Sequence, residues 1–240
     1  MASPGRVAAQ SESRYRIERG SDAIMIRERF TDSQTALLEK LNRADVDNLA
    51  RLPELVVPES WHDELSYSPL PQRYPSSESW PTLLVVYIPG QLFGAYEFGR
   101  LVRWGPVSSG RRDSPTKPGT FALNWRSPGR ASTVDPDWFM PWYFNFENRE
   151  GLAFHQYSLP GYPASHGCIR LLERDAQWLF GWGQTWMLDP TGRRASTWGT
   201  PVLIVGLYDF DAPPPWRSLE WLSTSIELPS APAPGPERRP

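Results

Sequence analysis

Hydrophobic residues form two patterns along the chain, and the first of them predicts strands. Runs of consecutive apolar residues, or of apolar residues alternating with polar ones, are typical of strands buried on one or both faces. Such runs occur at residues 83–89, 95–110, 119–125, 151–155 and 200–206. They all lie between residues 79 and 208, so we predict one mainly β domain over that range.

The second pattern has helical spacing. Apolar residues recur at intervals of three and four after Asp32 and Ser33, and again after Asp45, and each of these polar residues is suited to capping a helix. A short apolar run follows, so residues 21–62 are predicted to form a small helical unit. A further helix is predicted over 171–180.

Composition distinguishes the segments that lie outside these units. Residues 63–78 are rich in Ser, Pro and Tyr, which predicts a linker. Residues 209–240 are a proline-rich tail without a packing pattern. Residues 1–20 contain no apolar segment, so we expect a disordered N-terminus, and no run of the sequence is long enough to span a membrane.

Charge and cysteine content narrow the functional classes. The 25 basic and 27 acidic residues give a net charge of −2, which offers no electrostatic basis for a nucleic-acid partner. The 12 tryptophans predict aromatic surfaces in the core or along a groove. The single cysteine has no partner for an internal disulfide, so it is either an inert buried thiol or a functional one.

That cysteine lies in the stretch FHQYSLPGYPASHGCIRL (154–171), which also holds two of the three histidines. A cysteine is a good nucleophile only as the thiolate, and it needs a base together with backbone donors for the oxyanion. His155 lies thirteen residues before Cys168, and the prolines and glycines between them allow the loop to fold back. Cys168 is therefore the candidate nucleophile and His155 the candidate base.

The same stretch resembles the signature of the L,D-transpeptidases, the YkuD-type catalytic domain that remodels bacterial peptidoglycan. The family pattern is a histidine, a spacer, and then Ser/Thr-His-Gly-Cys followed by a hydrophobic residue and Asn or Arg. His155 and the run from Ser165 to Arg170 fill this pattern. One position departs from it, because Gln156, followed by the bulky Tyr157, stands where the family often has Gly, Ser or Ala.

A second segment, VSSGRRDSPTKPGTF (107–121), is also similar to the family. Thr116, Gly119 and Phe121 match its Thr-Pro-x-Gly-x-Phe stretch, although Lys117 stands where the family usually has proline. The resemblance implies that this segment forms a wall of the substrate cleft.

A third segment, MPWYFNF (140–146), resembles the Met-Pro-aromatic segment that flanks the acyl-donor site in the family. Trp142 and Tyr143 are therefore candidates for lining the substrate cleft together with Tyr157, and ordinary core packing is the alternative for these aromatic side chains.

The resemblance also implies roles for the residues around the nucleophile. Backbone N–H groups near Gly167 and the nucleophile would stabilise the oxyanion, and the carbonyl of Gln156 would hold the imidazole. Ser165 and His166 would form hydrogen bonds within the loop, and His166 is also suited to lining the cleft. Arg170 would anchor either the loop or a substrate carboxylate.

The resemblance implies a mixed β sandwich or flattened barrel with one or two helices. The function that it implies is acyl transfer in the cell envelope. The cysteine would attack a peptidoglycan stem tetrapeptide and pass the acyl group, through a thioester, to an amine of a second stem peptide. This reaction belongs to cell-wall biogenesis and cell shape, and it needs no cofactor or metal. Because the family works in the periplasm or envelope, we expect an export signal to have been removed or to lie outside this sequence.

Other functions are compatible with the same residues. Water as the acceptor would make the protein an L,D-carboxypeptidase or endopeptidase. A metal site formed by His155, His166 and Cys168 is weakly supported, because structural zinc sites take four ligands and no fourth stands out. A non-enzymatic peptidoglycan-binding protein is a third alternative. The 21–62 unit either is LysM-like and binds glycan or packs against the catalytic domain.

Overall fold

The computed structural model describes residues 15–19, 23–132, 135 and 137–231. Its helices and strands are, in chain order, β1 (Tyr15–Arg19), α1 (Ala23–Arg29), α2 (Asp32–Asn42), α3 (Val46–Leu49), β2 (Glu54–Pro58), β3 (Leu83–Tyr87), β4 (Leu92–Glu97), β5 (Arg100–Ser108), β6 (Gly119–Ala122), β7 (Arg126–Ala131), β8 (Phe139–Glu147), β9 (Leu152–Gln156), β10 (Ile169–Leu171), α4 (Glu173–Trp182), β11 (Met187–Leu188), β12 (Ala195–Thr197), β13 (Pro201–Val205) and α5 (Leu219–Leu222). Short 3-10 helices lie at Glu64–Tyr67, Pro75–Ser77 and Pro215–Arg217.

Nine of these strands form one curled sheet in the spatial order β6-β13-β3-β4-β5-β10-β9-β8-β7. The prediction of a mainly β domain is therefore confirmed. Most neighbouring strands are antiparallel, but β10 pairs in parallel with β9 and antiparallel with β5. Because β10 occupies Ile169–Leu171, the helix predicted over 171–180 begins only at Glu173.

Apolar side chains cover both faces of the sheet. One face and helix α4 enclose a core that includes Leu84, Phe93, Phe154, Ile169 and Leu179. The opposite face packs against a second core, which contains Leu83, Val85, Leu92, Tyr96 and Trp104. Alternation along β3 sends its side chains to both cores, as expected for a strand that is buried on both faces.

The N-terminal unit combines the β1–β2 pair with helices α1 to α3 around a small core of its own, formed by Ile26, Leu38, Ala44, Leu49, Leu52, Leu55 and Val57. The prediction that Asp32 or Ser33 caps α2 is wrong. Thr31 is the cap, since its hydroxyl accepts the Gln34 N–H and the Gln34 side chain accepts the Thr31 N–H. Asp45 caps α3, as expected, by accepting the N–H of Asn48 at 3.0 Å.

This unit packs directly on the large sheet. Leu37, Leu41 and Val56 belong to the same core as the second face of the sheet. The buried Lys40 donates through Nζ to the Trp104 carbonyl at 2.7 Å, and the buried Arg43 donates through Nε to the Gly90 carbonyl at 2.8 Å. These contacts support packing against the catalytic domain as the role of the N-terminal unit.

Three segments that were predicted to make no packing contacts are partly folded and packed in the structure. Residues 15–19 form β1, whereas the rest of the expected disordered N-terminus lies outside the described residues. The predicted linker 63–78 buries Tyr67, Leu70 and Tyr74. The predicted tail buries Trp216, Leu222 and Ile226, and its residues 232–240 lie outside the described part. These apolar side chains are spaced irregularly, so their burial produces no periodic signal in the sequence.

None of the helices in the described part of the chain is long and apolar enough to cross a membrane.

Candidate active site

The candidate nucleophile and base lie on neighbouring strands. In the parallel pair β9–β10, Phe154 is opposite Ile169 and His155 is opposite Arg170. Cys168 comes immediately before β10, so the register places it beside the strand that carries His155. Both side chains line a small cleft of about 100 Å³. The pairing of β9 with β10 thus brings together two residues that are thirteen positions apart.

The environment of His155 defines its tautomer and its charge. The side chain is only 5% exposed, and its Nδ1 lies 3.0 Å from the carbonyl oxygen of Gln156. Since a carbonyl only accepts, Nδ1 carries the proton and Nε2 is left as an acceptor. Burial lowers the pKa of His155 to about 4, against a smaller raising effect of the Gln156 hydrogen bond. The imidazole is therefore neutral at neutral pH.

The thiol of Cys168 is also uncharged at rest. Burial raises its pKa, while a hydrogen bond with the Ala153 backbone and the charges of Arg170 and Arg130 act in the opposite direction. A neutral thiol beside a neutral imidazole is suited to general-base chemistry, in which the proton leaves sulfur as the sulfur attacks.

The loop before Cys168 is held by Ser165. Its hydroxyl donates to the carbonyl of Cys168 and accepts the N–H of Gly167 at 3.1 Å. Gly167 has a φ of +104°, and a Cβ there would lie 3.0 Å from Leu152 Cδ2, so a side chain at this position would be strained. The Gly167 N–H, expected to stabilise the oxyanion, is thus already engaged. Within the described residues, the N–H of Cys168 has no acceptor and is the better candidate donor.

Further hydrogen bonds, from residues 109–116, support the loop before Cys168. The buried Thr116 donates through Oγ1 to the Gly167 carbonyl at 2.8 Å and accepts the Gly110 N–H at 2.9 Å. Ser165 exchanges backbone hydrogen bonds with Ser109 and Arg111 at 3.0 and 2.9 Å. The segment expected to form a wall of the substrate cleft therefore supports, through Thr116, the loop before Cys168.

The rest of that segment does not form a wall of this cleft. Lys117 pairs with Glu150 at the cleft rim, with 2.8 Å between Nζ and Oε1. Phe121 lines a different and larger cavity.

The loop after His155 is held by the N-terminal unit. The carboxylate of Asp45 accepts the Leu159 N–H at 2.7 Å and the Ser158 hydroxyl at 3.0 Å. The Asp45 N–H donates to the Leu159 carbonyl at 3.1 Å, and Asn48 Nδ2 donates to the Ser158 hydroxyl at 2.8 Å. Helix α3 therefore fixes the chain just beyond the Gln156 carbonyl that holds the imidazole.

Arg170 and Tyr157 form one wall of the cleft. The Arg170 guanidinium lies 4.6 Å from the centre of the Tyr157 ring, and its Nη1 lies 3.4 Å from the Ser158 carbonyl. Both side chains line the cleft with His155 and Cys168. This geometry favours the loop-anchoring role for Arg170 and leaves its positive charge in the same cleft as Cys168.

The aromatic candidates separate into two groups. Tyr143 lines the cleft of Cys168, whereas Trp142 packs against Phe180 with 5.4 Å between ring centroids and is not among the lining residues. His166 lines the cleft and lies 5.1 Å from the ring of Trp138.

Seven further residues of the described chain line the cleft of Cys168 and were not predicted from the sequence. They are Arg130, Ser132, Trp138, Met140, Glu150, Gly151 and Leu152. Most of them lie on or next to strands β7 to β9, which pair side by side and converge on one end of the cleft. Met140 opens the Met-Pro-aromatic segment, which was the only sequence signal that pointed to any of them.

Among the residues that the structure describes, no group of three or more His, Cys, Asp or Glu side chains is placed to hold a metal ion. A proposed metal site of His155, His166 and Cys168 therefore receives no support from their arrangement.

Cys168 and a neutral His155 held by a backbone carbonyl line one cleft, an arrangement that is suited to nucleophilic chemistry at the thiol. The model of the L,D-transpeptidase catalytic domain, YkuD, matches residues 81–204, which is just over half of the chain. The protein belongs to this family.

Solved structures that are similar to this chain carry the same family name. An L,D-transpeptidase from Stackebrandtia nassauensis is 23% identical, with a TM-score of 0.43 over 53% of this chain and 57% of its own. One from Mycobacterium smegmatis is 21% identical, with a TM-score of 0.42 over 52% and 59%. This chain thus spans less than two thirds of the length of these relatives. A search of curated proteins finds no match.

Proposed function

We propose that this protein is a cysteine-dependent L,D-transpeptidase that acts on peptidoglycan stem peptides in the cell envelope. The observation that carries the proposal is the placement of Cys168 and His155 in one cleft, with Nδ1 of the histidine 3.0 Å from the Gln156 carbonyl. Family membership supports the reaction class.

In the first half-reaction, Nε2 of His155 takes the thiol proton while the sulfur of Cys168 attacks the carbonyl between the L-centre of the diamino acid and D-Ala in a stem tetrapeptide. The Cys168 N–H stabilises the oxyanion, a type of interaction worth about 3 to 4 kcal/mol per donor. When the intermediate collapses, the C–N bond breaks and the imidazolium returns its proton to the amine of D-Ala. A thioester remains on Cys168.

In the second half-reaction, an amine of another stem peptide attacks the thioester. His155 accepts a proton from that amine, the C–S bond breaks, and the proton passes to the sulfur, which restores the neutral thiol. Transfer to water in place of the amine would give hydrolysis. The neutral resting pair suits both steps, because Nε2 is free to accept a proton each time.

The test is the intact mass of the protein after incubation with imipenem, the compound that one solved L,D-transpeptidase holds in its complex. We expect a single adduct on the wild type and none on Cys168→Ala. The absence of an adduct on a wild-type protein with a free thiol would contradict the proposal. Product analysis with a stem tetrapeptide, with and without an amine acceptor, then separates transpeptidation from hydrolysis.

A further inference from the structure

A second and much larger cleft lies on the other side of the β8–β9 turn. It has a volume of about 820 Å³, which is at the upper end of the roughly 300 to 1,000 Å³ typical of ligand sites. Its floor includes Thr120 and Ala122 of β6, the strand at one end of the large sheet, and Thr200 and Pro201 near the start of β13. We call this cavity the aromatic cleft.

Aromatic side chains dominate the walls of the aromatic cleft. They are Trp80, Phe121, Phe146, Trp186 and Trp198. Phe121 and Phe146 form an edge-to-face pair, with 5.4 Å between ring centroids. Trp198 is 39% exposed, so part of its indole is open to solvent. Flat indole faces that remain accessible are suited to stacking on a ligand that presents C–H surfaces.

Three side-chain amides lie among these rings, on Asn124, Asn148 and Gln184. Asn148 accepts the indole N–H of Trp125 through Oδ1 at 3.0 Å, which orients its amide and leaves both N–H donors of Nδ2 without an acceptor within the described residues. Asn124 donates through Nδ2 to Asn145 Oδ1 at 2.8 Å and keeps its own oxygen as an acceptor. Oriented donors and acceptors beside aromatic faces favour a ligand with polar edges and apolar faces.

The turn at 147–151 joins the aromatic cleft to the cleft of Cys168. Glu147, Asn148 and Arg149 line the aromatic cleft, whereas the next two residues, Glu150 and Gly151, line the cleft of Cys168. The Glu147 carboxylate accepts the N–H groups of Arg149 and Glu150 at 2.8 and 2.6 Å, which holds the turn in shape. A ligand in the aromatic cleft is therefore one ordered turn away from the candidate nucleophile.

We infer that the aromatic cleft binds the glycan strand of peptidoglycan, a polymer of N-acetylated hexosamines, while the attached stem peptide crosses the 147–151 turn to reach Cys168. Sugar rings combine apolar C–H faces with hydroxyl and amide edges, which matches the rings and amides of this cleft. The part of the inference that concerns the stem peptide rests on the proposed function. Glycan binding itself does not depend on acylation of Cys168.

The experiment uses the full-length protein, a soluble tetramer of N-acetylglucosamine and peptide-free glycan strands, with binding measured by calorimetry. Trp198→Ala should weaken the binding of both ligands about tenfold, because it removes one stacking face. Leu219→Ala, at a position 43% exposed on α5 and outside the cleft, is the matched control and should bind like the wild type. Cys168→Ala should also retain binding.

Imipenem acylation, measured in parallel, separates the two proposals. A wild-type protein that is acylated but binds neither glycan would overturn this inference and leave the proposed function intact. Glycan binding that is lost in Trp198→Ala, in a protein that is never acylated, would support the glycan site and contradict the proposed function. Tighter binding of a free stem peptide than of glycan, also lost in Trp198→Ala, would overturn the inference in favour of a peptide site.

Discussion

Two loops meet at the cleft of Cys168, and different parts of the chain hold them. The loop before Cys168 is supported by Thr116 and by the 108–111 backbone, all within the catalytic domain. The loop after His155 is supported by Asp45 of the N-terminal unit. The candidate nucleophile is thus positioned by residues within the matched domain, whereas the loop after the candidate base is held by a unit outside it.

The N-terminal unit therefore supports one side of the candidate active site. The Asp45 carboxylate accepts hydrogen bonds from Ser158 and Leu159, two and three residues beyond Gln156, whose carbonyl holds the imidazole. We therefore expect damage to the two loops to produce different kinetic defects. Loss of support for the Cys168 loop should affect the nucleophile, and loss of support for the His155 loop should affect proton transfer.

Replacement of His155 by alanine should have the largest effect. Removal of a general base typically lowers the rate about 10² to 10⁴-fold, so imipenem acylation of Cys168 should slow by about this factor. Stopped-flow or mass-resolved acylation rates measure it. His62→Ala, at an exposed histidine, is the control and should acylate at the wild-type rate. A decrease of less than tenfold in the acylation rate of His155→Ala would contradict the proposed role of His155 as the general base.

Burial of His155 should make stability depend on pH. Its folded-state pKa of about 4 lies below the ordinary value of 6.5, so the unfolded chain takes up the proton first and the folded state loses stability as the pH falls from about 6.5 to about 4. The full loss is on the order of 3 kcal/mol. Urea unfolding of wild type and His155→Gln across this range measures it. Curves that stay parallel would show that the histidine is not buried in its neutral form.

Asp45→Ala should weaken the support of the His155 loop. The carboxylate accepts hydrogen bonds from Leu159, Ser158 and Asn48, so its removal should cost about 2 to 3 kcal/mol of unfolding free energy. Acylation should also slow, with an altered pH profile, because the imidazole is less well held. Asp47→Ala, whose side chain is 76% exposed, is the neighbouring control. An unchanged pH profile of acylation in Asp45→Ala would indicate that the N-terminal unit stabilises the fold but does not position His155.

Thr116→Val should have the smallest effect and should act on the other loop. The substitution preserves shape but removes the hydroxyl between Gly167 and Gly110, at a cost of about 1 to 2 kcal/mol. Acylation should slow without a shift in its pH profile, since His155 is untouched. Thr197→Val, on the exposed strand β12, controls for the substitution itself. A pH profile shifted as in Asp45→Ala would mean that the two loops are not supported independently.

Local chemistry explains which parts of the site could be predicted from the sequence. The run from Ser165 to Arg170 and the upstream His155 can be recognised as a family pattern from residue type and order, and glycine suits position 167 because of its positive φ. Trp142 was predicted to lie with Tyr143 at the cleft, but only Tyr143 lines it, because Trp142 has a positive φ of 54° and packs with Phe180 against the core under α4. The sequence shows that both residues are aromatic, and the sheet decides which face each occupies.

The sequence by itself determined the mainly β fold and the family to which the chain belongs, and it indicated Cys168 and His155 as candidate nucleophile and base, since these depend on short-range pattern and residue chemistry. Tertiary structure alone decided that Asp45 supports the His155 loop, that Thr116 lies beneath Gly167, and that the segments predicted to be linker and tail are packed. Each of these features joins residues that are far apart in the chain. Such contacts leave no periodic signal in the sequence, because strand order and packing determine which groups become partners.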